Sequence, residues 1–215
     1  MFKCLLITFS VFSLSACGQK GSVPLLAKDQ KMDTIFFWKL MDNAFDNAGF
    51  NNRLKEQTIL DNLTKLTPEQ IQQFEIIFQQ MNQKASTWSN MAAHTIIQGS
   101  SSDDSFYYFR CWLISLGRHN FEETLKDPDY LVSIDIPINK KYGYGEIMFE
   151  ELISISDHAY SIVTEKQTED ESFPRTFAQN AGLFYDTYTD MKGNEWSYSD
   201  LPRIAPKLYK KFGRK

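Results

Sequence analysis

Three side chains within residues 99–121 have the types and spacing to act together: Asp103, Tyr107 and Arg110. On an α-helix, at about 100° per residue, separations of four and seven place them within roughly 40° of one another. The carboxylate and the root of the guanidinium then lie about 10 Å apart along the axis, at 1.5 Å rise per residue. A ligand group fits in that gap, with Arg110 as an anion fork. A structural role competes with this one. Asp103 and Asp104 sit where a helix begins, and negative charge there favours the macrodipole. A buried Arg110 needs a carboxylate, and Glu150, Glu151 or Asp157 is available for it. Trp88, near an expected bend, is a further candidate to line a pocket. Trp38, Trp112 and Trp196 read as core.

The remaining chemistry-bearing residues form no recognised constellation. His94, His119 and His158 lack a companion at ligand spacing, and Glu146 with Glu150 lacks the ExxH partner of a di-metal half-site, so no metal is expected. The serines at 100–102 lack a GxSxG elbow and suit helix caps. No phosphate-binding glycine loop occurs, so no cofactor is expected. Cys111 lies in an apolar segment, which favours a buried, inert thiol. A net charge of −4 and the acidic composition argue against a nucleic-acid partner.

The elements that would position these residues are helical. Asp33 is an N-cap for a first helix with Ile35, Phe36, Phe37, Trp38, Leu40, Met41, Ala44 and Phe45 on a wide apolar face, closed by Gly49. A second helix is expected near 53–66, with Leu54, Ile59, Leu60 and Leu63. Thr67, Pro68 and Gln70 form a capping-box start for a third, which continues or kinks past Trp88 to Ile97 and stops at Gly99. The central helix, 103–116, is apolar nearly all round, as a helix buried on every side must be. A short helix at 120–125 ends at Asp127-Pro128. Loose alternation at Val132, Ile134, Ile136 and Ile138 suggests a short strand over 131–138. A long helix is expected at 146–163, an exposed loop at 165–172 and a closing helix that ends at Phe212. The fold class is therefore all-α, a single domain of six to eight helices with one short extended segment.

The N-terminus reads as a targeting device. One lysine precedes an apolar run at 5–14, too short to span a bilayer. The run ends in Leu14-Ser15-Ala16-Cys17, which resembles the lipobox of bacterial lipoproteins. The resemblance implies acylation of the Cys17 thiol, cleavage before it, and stable anchoring by two or three acyl chains. Residues 1–16 are then a signal peptide and 17–32 a lipidated tether. Residues 33–215 are the helical domain, with a core at 33–163 and a C-terminal extension at 164–215. Gly18 after the cysteine favours the outer membrane over the inner, on the periplasmic side. With Cys4 removed and Cys17 acylated, Cys111 alone remains, so no intramolecular disulfide is expected.

Across the domain the chain resembles a bacterial family, domain-of-unknown-function family 4240. The resemblance rests on Phe37-Trp38, Trp88, Gly99 and Ser102-Asp103-Asp104-Ser105-Phe106. It continues with Tyr108-Phe109-Arg110, Trp112-Leu113-Ile114, Gly117, Phe121, Asp127-Pro128 and Phe149-Glu150-Glu151-Leu152. Gly193-Asn194-Glu195-Trp196 and Leu201-Pro202 extend it. Membership implies no activity. The expected function is that of an envelope lipoprotein whose domain binds a protein or small molecule. Two alternatives stand: an immunity or inhibitor protein against an envelope-acting toxin, and an enzyme using a pocket at Asp103 and Arg110.

Overall fold

The computed structural model of the chain describes residues 23, 25–166, 174–183 and 191–213. The lipobox, the signal peptide and most of the acidic stretch at 165–172 lie outside the described residues.

Helix α1 (Thr34–Ala48) starts where Asp33 accepts the Phe36 N–H on Oδ1 at 2.7 Å, and it ends at Gly49, whose φ is +55°. It buries Phe36, Phe37, Trp38, Leu40, Met41 and Ala44. Four consecutive apolar residues cannot all face one side of a helix, and Ile35 is the one turned out, 60% exposed. Helix α2 (Asn52–Leu63) is capped by Asn51 and buries Lys55, Ile59 and Leu63 rather than Leu54, which is exposed. Helix α3 (Pro68–Ala85) carries the full capping box between Thr67 and Gln70. It does not run on as a kinked helix. Ser86 leaves helical geometry, Thr87 caps a new start, and α4 (Trp88–Gln98) follows, closed by Gly99 at φ +86°.

Helix α5 (Asp103–Ser115) is the centre of the molecule. Ser102 and Ser105 form its capping box, and nine of its thirteen residues are buried. It packs against α1, α3 and α4, as its all-round apolar surface requires. Aromatic rings fill the space between helices: Phe37 meets Phe74 at 5.1 Å, Trp38 meets Phe121 at 5.0 Å, and Phe109 meets Trp112 at 5.7 Å. Helix α6 (Arg118–Lys126) follows directly on Gly117.

The segment expected as a strand is not one. Asp127 caps a 3-10 helix, Pro128–Ser133, with its side chain accepting from the Asp129 N–H. Beyond it only an isolated bridge joins Ile138 to Gly145, and no strand occurs among the described residues. The helix expected at 146–163 starts late. The chain enters extended because the Phe149 N–H donates to the Tyr108 carbonyl at 3.1 Å and Gln98 Nε2 donates to the Gly145 carbonyl at 2.9 Å. A 3-10 turn, Glu150–Ser154, then leads into α7 (Ile155–Thr164), which packs on α2 and α3, and α8 (Pro174–Asn180) also packs on α3.

The C-terminal residues are sewn to the α3–α4 junction. Trp88 N–H donates to the Lys192 carbonyl, Lys192 N–H donates to Ser86, and Trp196 Nε1 donates to the Trp88 carbonyl at 2.6 Å. The closing helix is broken at Ala205. A 3-10 turn at Tyr198–Asp200 precedes α9 (Leu201–Ile204) and α10 (Pro206–Phe212). The buried Asp129 caps α10 by accepting from the Lys207 and Leu208 N–H groups. Upstream, residues 25–32 lie against α3. Gln70 Nε2 donates to the carbonyls of Ala27 and Gln30, Gln73 Oε1 accepts from the Met32 N–H, and Leu26 and Met32 are buried.

Candidate functional site

The Asp103–Tyr107–Arg110 stripe is not brought together as one open site. Asp103 and Asp104 are exposed in the first turn of α5. Arg110 is 3% exposed, deep in the helix packing. Its guanidinium lies 5.0 Å from the rings of both Phe106 and Tyr107, the residues one turn back, and Nη1 donates to the Asn82 carbonyl at 3.4 Å. Glu150 and Glu151 are exposed, and Glu150 accepts from the Tyr108 hydroxyl. Asp157 is buried on α7.

The carboxylate that sequence reasoning missed is Glu75. It is 1% exposed and belongs to a polar row on α3, Glu75–Gln79–Asn82, at separations of four and seven. Gln79 Nε2 donates to Glu75 Oε1 at 2.8 Å, and the Ser156 hydroxyl donates to Oε2 at 2.5 Å. The row and Arg110 flank Cys111. Burial pushes that thiol far above its ordinary range, the Arg110 charge pulls it back, and the Glu75 charge raises it further. A protonated thiol in such surroundings is inert. Buried charges and hydrogen-bonded amides of this kind hold α3, α5 and α7 in one arrangement.

Two further basic groups are buried with no carboxylate partner among the described residues. Lys55 is fully buried, donates from Nζ to the Ser115 hydroxyl at 2.7 Å, and sits 4.9 Å from the Phe149 ring centre. Burial lowers it to about 7. His94 is fully buried beside Phe106 and Phe109, shares a hydrogen bond with the Ser101 hydroxyl through Nδ1, and is lowered by burial to about 4. It is a neutral core imidazole at physiological pH. Trp88 is half-buried and meets Trp196 edge-on at 6.3 Å, which makes it a joint between the helical core and the C-terminal residues. Among the described residues no cluster of His, Cys, Asp and Glu is arranged to hold a metal.

The convergent polar groups that do open to solvent lie elsewhere, between α1 and α6. A cleft of about 520 Å³ is lined by Asp42, Asp46, Arg118, His119, Asn120 and Glu122 over a floor of Phe45 and Leu116. Asp42 is its fixed point. Its Oδ1 accepts from the Arg118 N–H at 2.7 Å, at the start of α6. Gly117 must be glycine there, because its φ is +87° and a Cβ would sit 2.5 Å from Asp42 Oδ1. Partial burial raises the Asp42 acid, the Arg118 N–H opposes that, and the Asp46 charge adds to it. Arg118 Nε pairs with Glu122 at 2.7 Å on the exposed rim, and His119 stacks edge-on with Tyr130 at 5.9 Å. Three carboxylates against one guanidinium and one imidazole suit recognition of a polar or cationic group. These residues hold no serine, cysteine or lysine that a neighbouring base could activate.

Among the described residues no helix is long and apolar enough to cross a membrane. No curated protein and no solved structure matches the chain. A family profile does match, over residues 32–161, which takes in α1 to α6, most of α7 and both Arg110 and the α1–α6 cleft. The resemblance noted at 193–196 and 201–202 lies beyond the matched residues. Since the match covers more than half of the chain, the protein belongs to the family described as Protein of unknown function (DUF4240).

Proposed function

We propose that this protein is a lipid-anchored envelope protein whose helical domain acts by binding rather than by catalysis. The observation that carries the anchor is the sequence Leu14-Ser15-Ala16-Cys17 behind a lysine-led apolar run of signal-peptide length. Acyl chains on Cys17 hold the domain to the periplasmic face of a membrane, and Gly18 favours the outer one. The binding reading draws support from how the polar groups are used. Arg110, the best candidate for catalysis by residue type, is enclosed by rings and by the Asn82 carbonyl. The α1–α6 cleft is open, rimmed by charge and floored by apolar side chains, which is the composition of a recognition site.

Metabolic labelling with an alkyne fatty acid tests the anchor. The wild-type chain takes up label and fractionates with membranes, and Cys17→Ala does neither. Equal labelling of both chains would overturn the proposal.

A further inference from the structure

We propose that the cavity between α4 and the C-terminal helices is a binding site for a small uncharged molecule, a single aromatic ring bearing one neutral hydrogen-bonding group. The site shares no lining residue with the α1–α6 cleft, and it stands whether or not Cys17 is acylated.

The cavity has a volume of about 140 Å³. One wall is Thr95 and Ile96 of α4, with Gly99 just past the helix end. The other is Tyr198, Leu201 and Tyr209. Helix α4 packs on both α9 and α10, so the cavity lies along their seam.

The hydroxyl of Thr95 is the observation that points to a ligand. Thr95 is 2% exposed, and its Oγ1 has no hydrogen-bond partner among the described residues. A threonine inside a helix ordinarily donates to the carbonyl four residues earlier. Thr58, Thr124 and Thr164 all do so here, to Leu54, Asn120 and Tyr160. Thr95 does not. A buried hydroxyl left without a partner is destabilising, and a polar group of a bound molecule supplies the missing bond.

Size and charge set the rest of the ligand. An apolar cavity of about 150 Å³ accommodates a benzene ring, so this one takes a ring and little more. Ile96 and Leu201 are buried and apolar, and the two tyrosines present ring faces or edges to an aromatic guest. No charged side chain lines the cavity, so a charged ligand would enter unpaired. Tyr198 is 65% exposed and forms the rim through which a guest passes.

Occupancy is coupled to the C-terminal residues. One wall belongs to 198–213, and these residues must stay docked on α4 for the cavity to exist. A guest held between the walls therefore slows their local opening.

The test uses the full chain carrying Cys17→Ala, which keeps it free of lipid, titrated with phenol and with benzene. The amides of Ile96, Gly99 and Leu201 should shift saturably in NMR spectra, and those of Asp42 and Arg118 should not. Thr95→Val keeps the side-chain shape and removes the hydroxyl. It should weaken phenol about fivefold, the worth of one buried hydrogen bond, and leave benzene unchanged. The variant should be at least as stable as wild type, since its hydroxyl had no partner to lose. At ten times the dissociation constant, phenol should slow amide exchange at Leu208 about tenfold. Absence of saturable shifts at the three cavity amides, as when water alone fills the space, overturns the proposal. So does equal weakening of phenol and benzene by Thr95→Val, phenol binding indifferent to it, a less stable variant, or an unchanged exchange rate at Leu208.

Discussion

Replacing Lys55 with methionine removes a charge that the fold must bury at neutral pH. The ordinary lysine value is 10.5, and burial lowers Lys55 to about 7. The unfolded chain therefore holds a proton between these values that the folded chain releases. Stability contributed by this site is greatest at high pH and is lost as pH falls from 10.5 towards 7. At pH 7 the penalty is about 4 kcal/mol, since lowering the value from 10.5 to about 7 costs about 1.36 kcal/mol for every tenfold change in proton affinity, less the fraction already titrated. Methionine matches the length of the lysine stem. It forfeits the hydrogen bond to Ser115, worth about 1 kcal/mol, and the contact with the Phe149 ring. Ser115 keeps its own bond to the Trp112 carbonyl, so no hydroxyl is orphaned. The net expectation for Lys55→Met is a gain of about 2–3 kcal/mol at pH 7, shrinking by about 2 kcal/mol at pH 9. Urea unfolding followed by far-UV circular dichroism at both pH values reads this directly. A variant less stable than wild type at pH 7, or a difference that does not change between pH 7 and 9, would refute the reasoning.

Three further outcomes follow from the same interior. His94 should stay neutral until about pH 4, so its NMR ring signals should not move above pH 5 and stability should fall between pH 6.5 and 4; a midpoint near 6.5 would contradict its burial. Arg110→Ala should cost about 3–5 kcal/mol by removing one charge from a buried network, whereas Asp103→Asn should cost under about 1 kcal/mol in thermal melts; similar losses would mean that the two residues do work as one unit. Asp129→Ala should strip two backbone donors at the start of α10 of their acceptor and cost about 1–2 kcal/mol, with amide exchange faster at Leu208 than in α5.

Much of the helical plan was legible because its punctuation is local. Asp33, Thr67 with Gln70, and Gly99 each act through atoms within four residues, so their roles could be read from residue type and spacing. The burial of α5 followed from its lack of a polar face. The failures have two causes, one local and one distant. Alternation at 132, 134, 136 and 138 suggested a strand, but Asp127 and Pro128 start a 3-10 turn that consumes the segment to Ser133. The late start of α7 depends on Tyr108, forty-one residues from the Phe149 amide it binds.

The polar groups were harder still. Lys55 lies on the Lys55–Ile59–Leu63 face at steps of four, and that stripe, not Leu54, is the buried one. Its period was there to be read, but lysine is so seldom buried that residue type outweighed it. Glu75, Gln79 and Asn82 were equally visible as a row at steps of four and seven, but α3 buries this row as well as the apolar Phe74, Ile77 and Phe78, and an apolar stripe does not announce a second buried face. The α1–α6 cleft could not be read at all. It is made when Asp42 accepts from the amide of Arg118, seventy-six residues away, and nothing in either local sequence announces that meeting.

The central claim is that the mature chain begins at a lipid-bearing Cys17, which brings its binding domain to a membrane. Mass spectrometry of the protein extracted from the producing cells tests this most directly. The account predicts that residues 1–16 are missing and that the N-terminal peptide starts at Cys17 with the added mass of a diacylglyceryl group, alone or with an N-acyl chain. A chain that still carries Met1, or one that begins elsewhere with Cys17 unmodified, would contradict it.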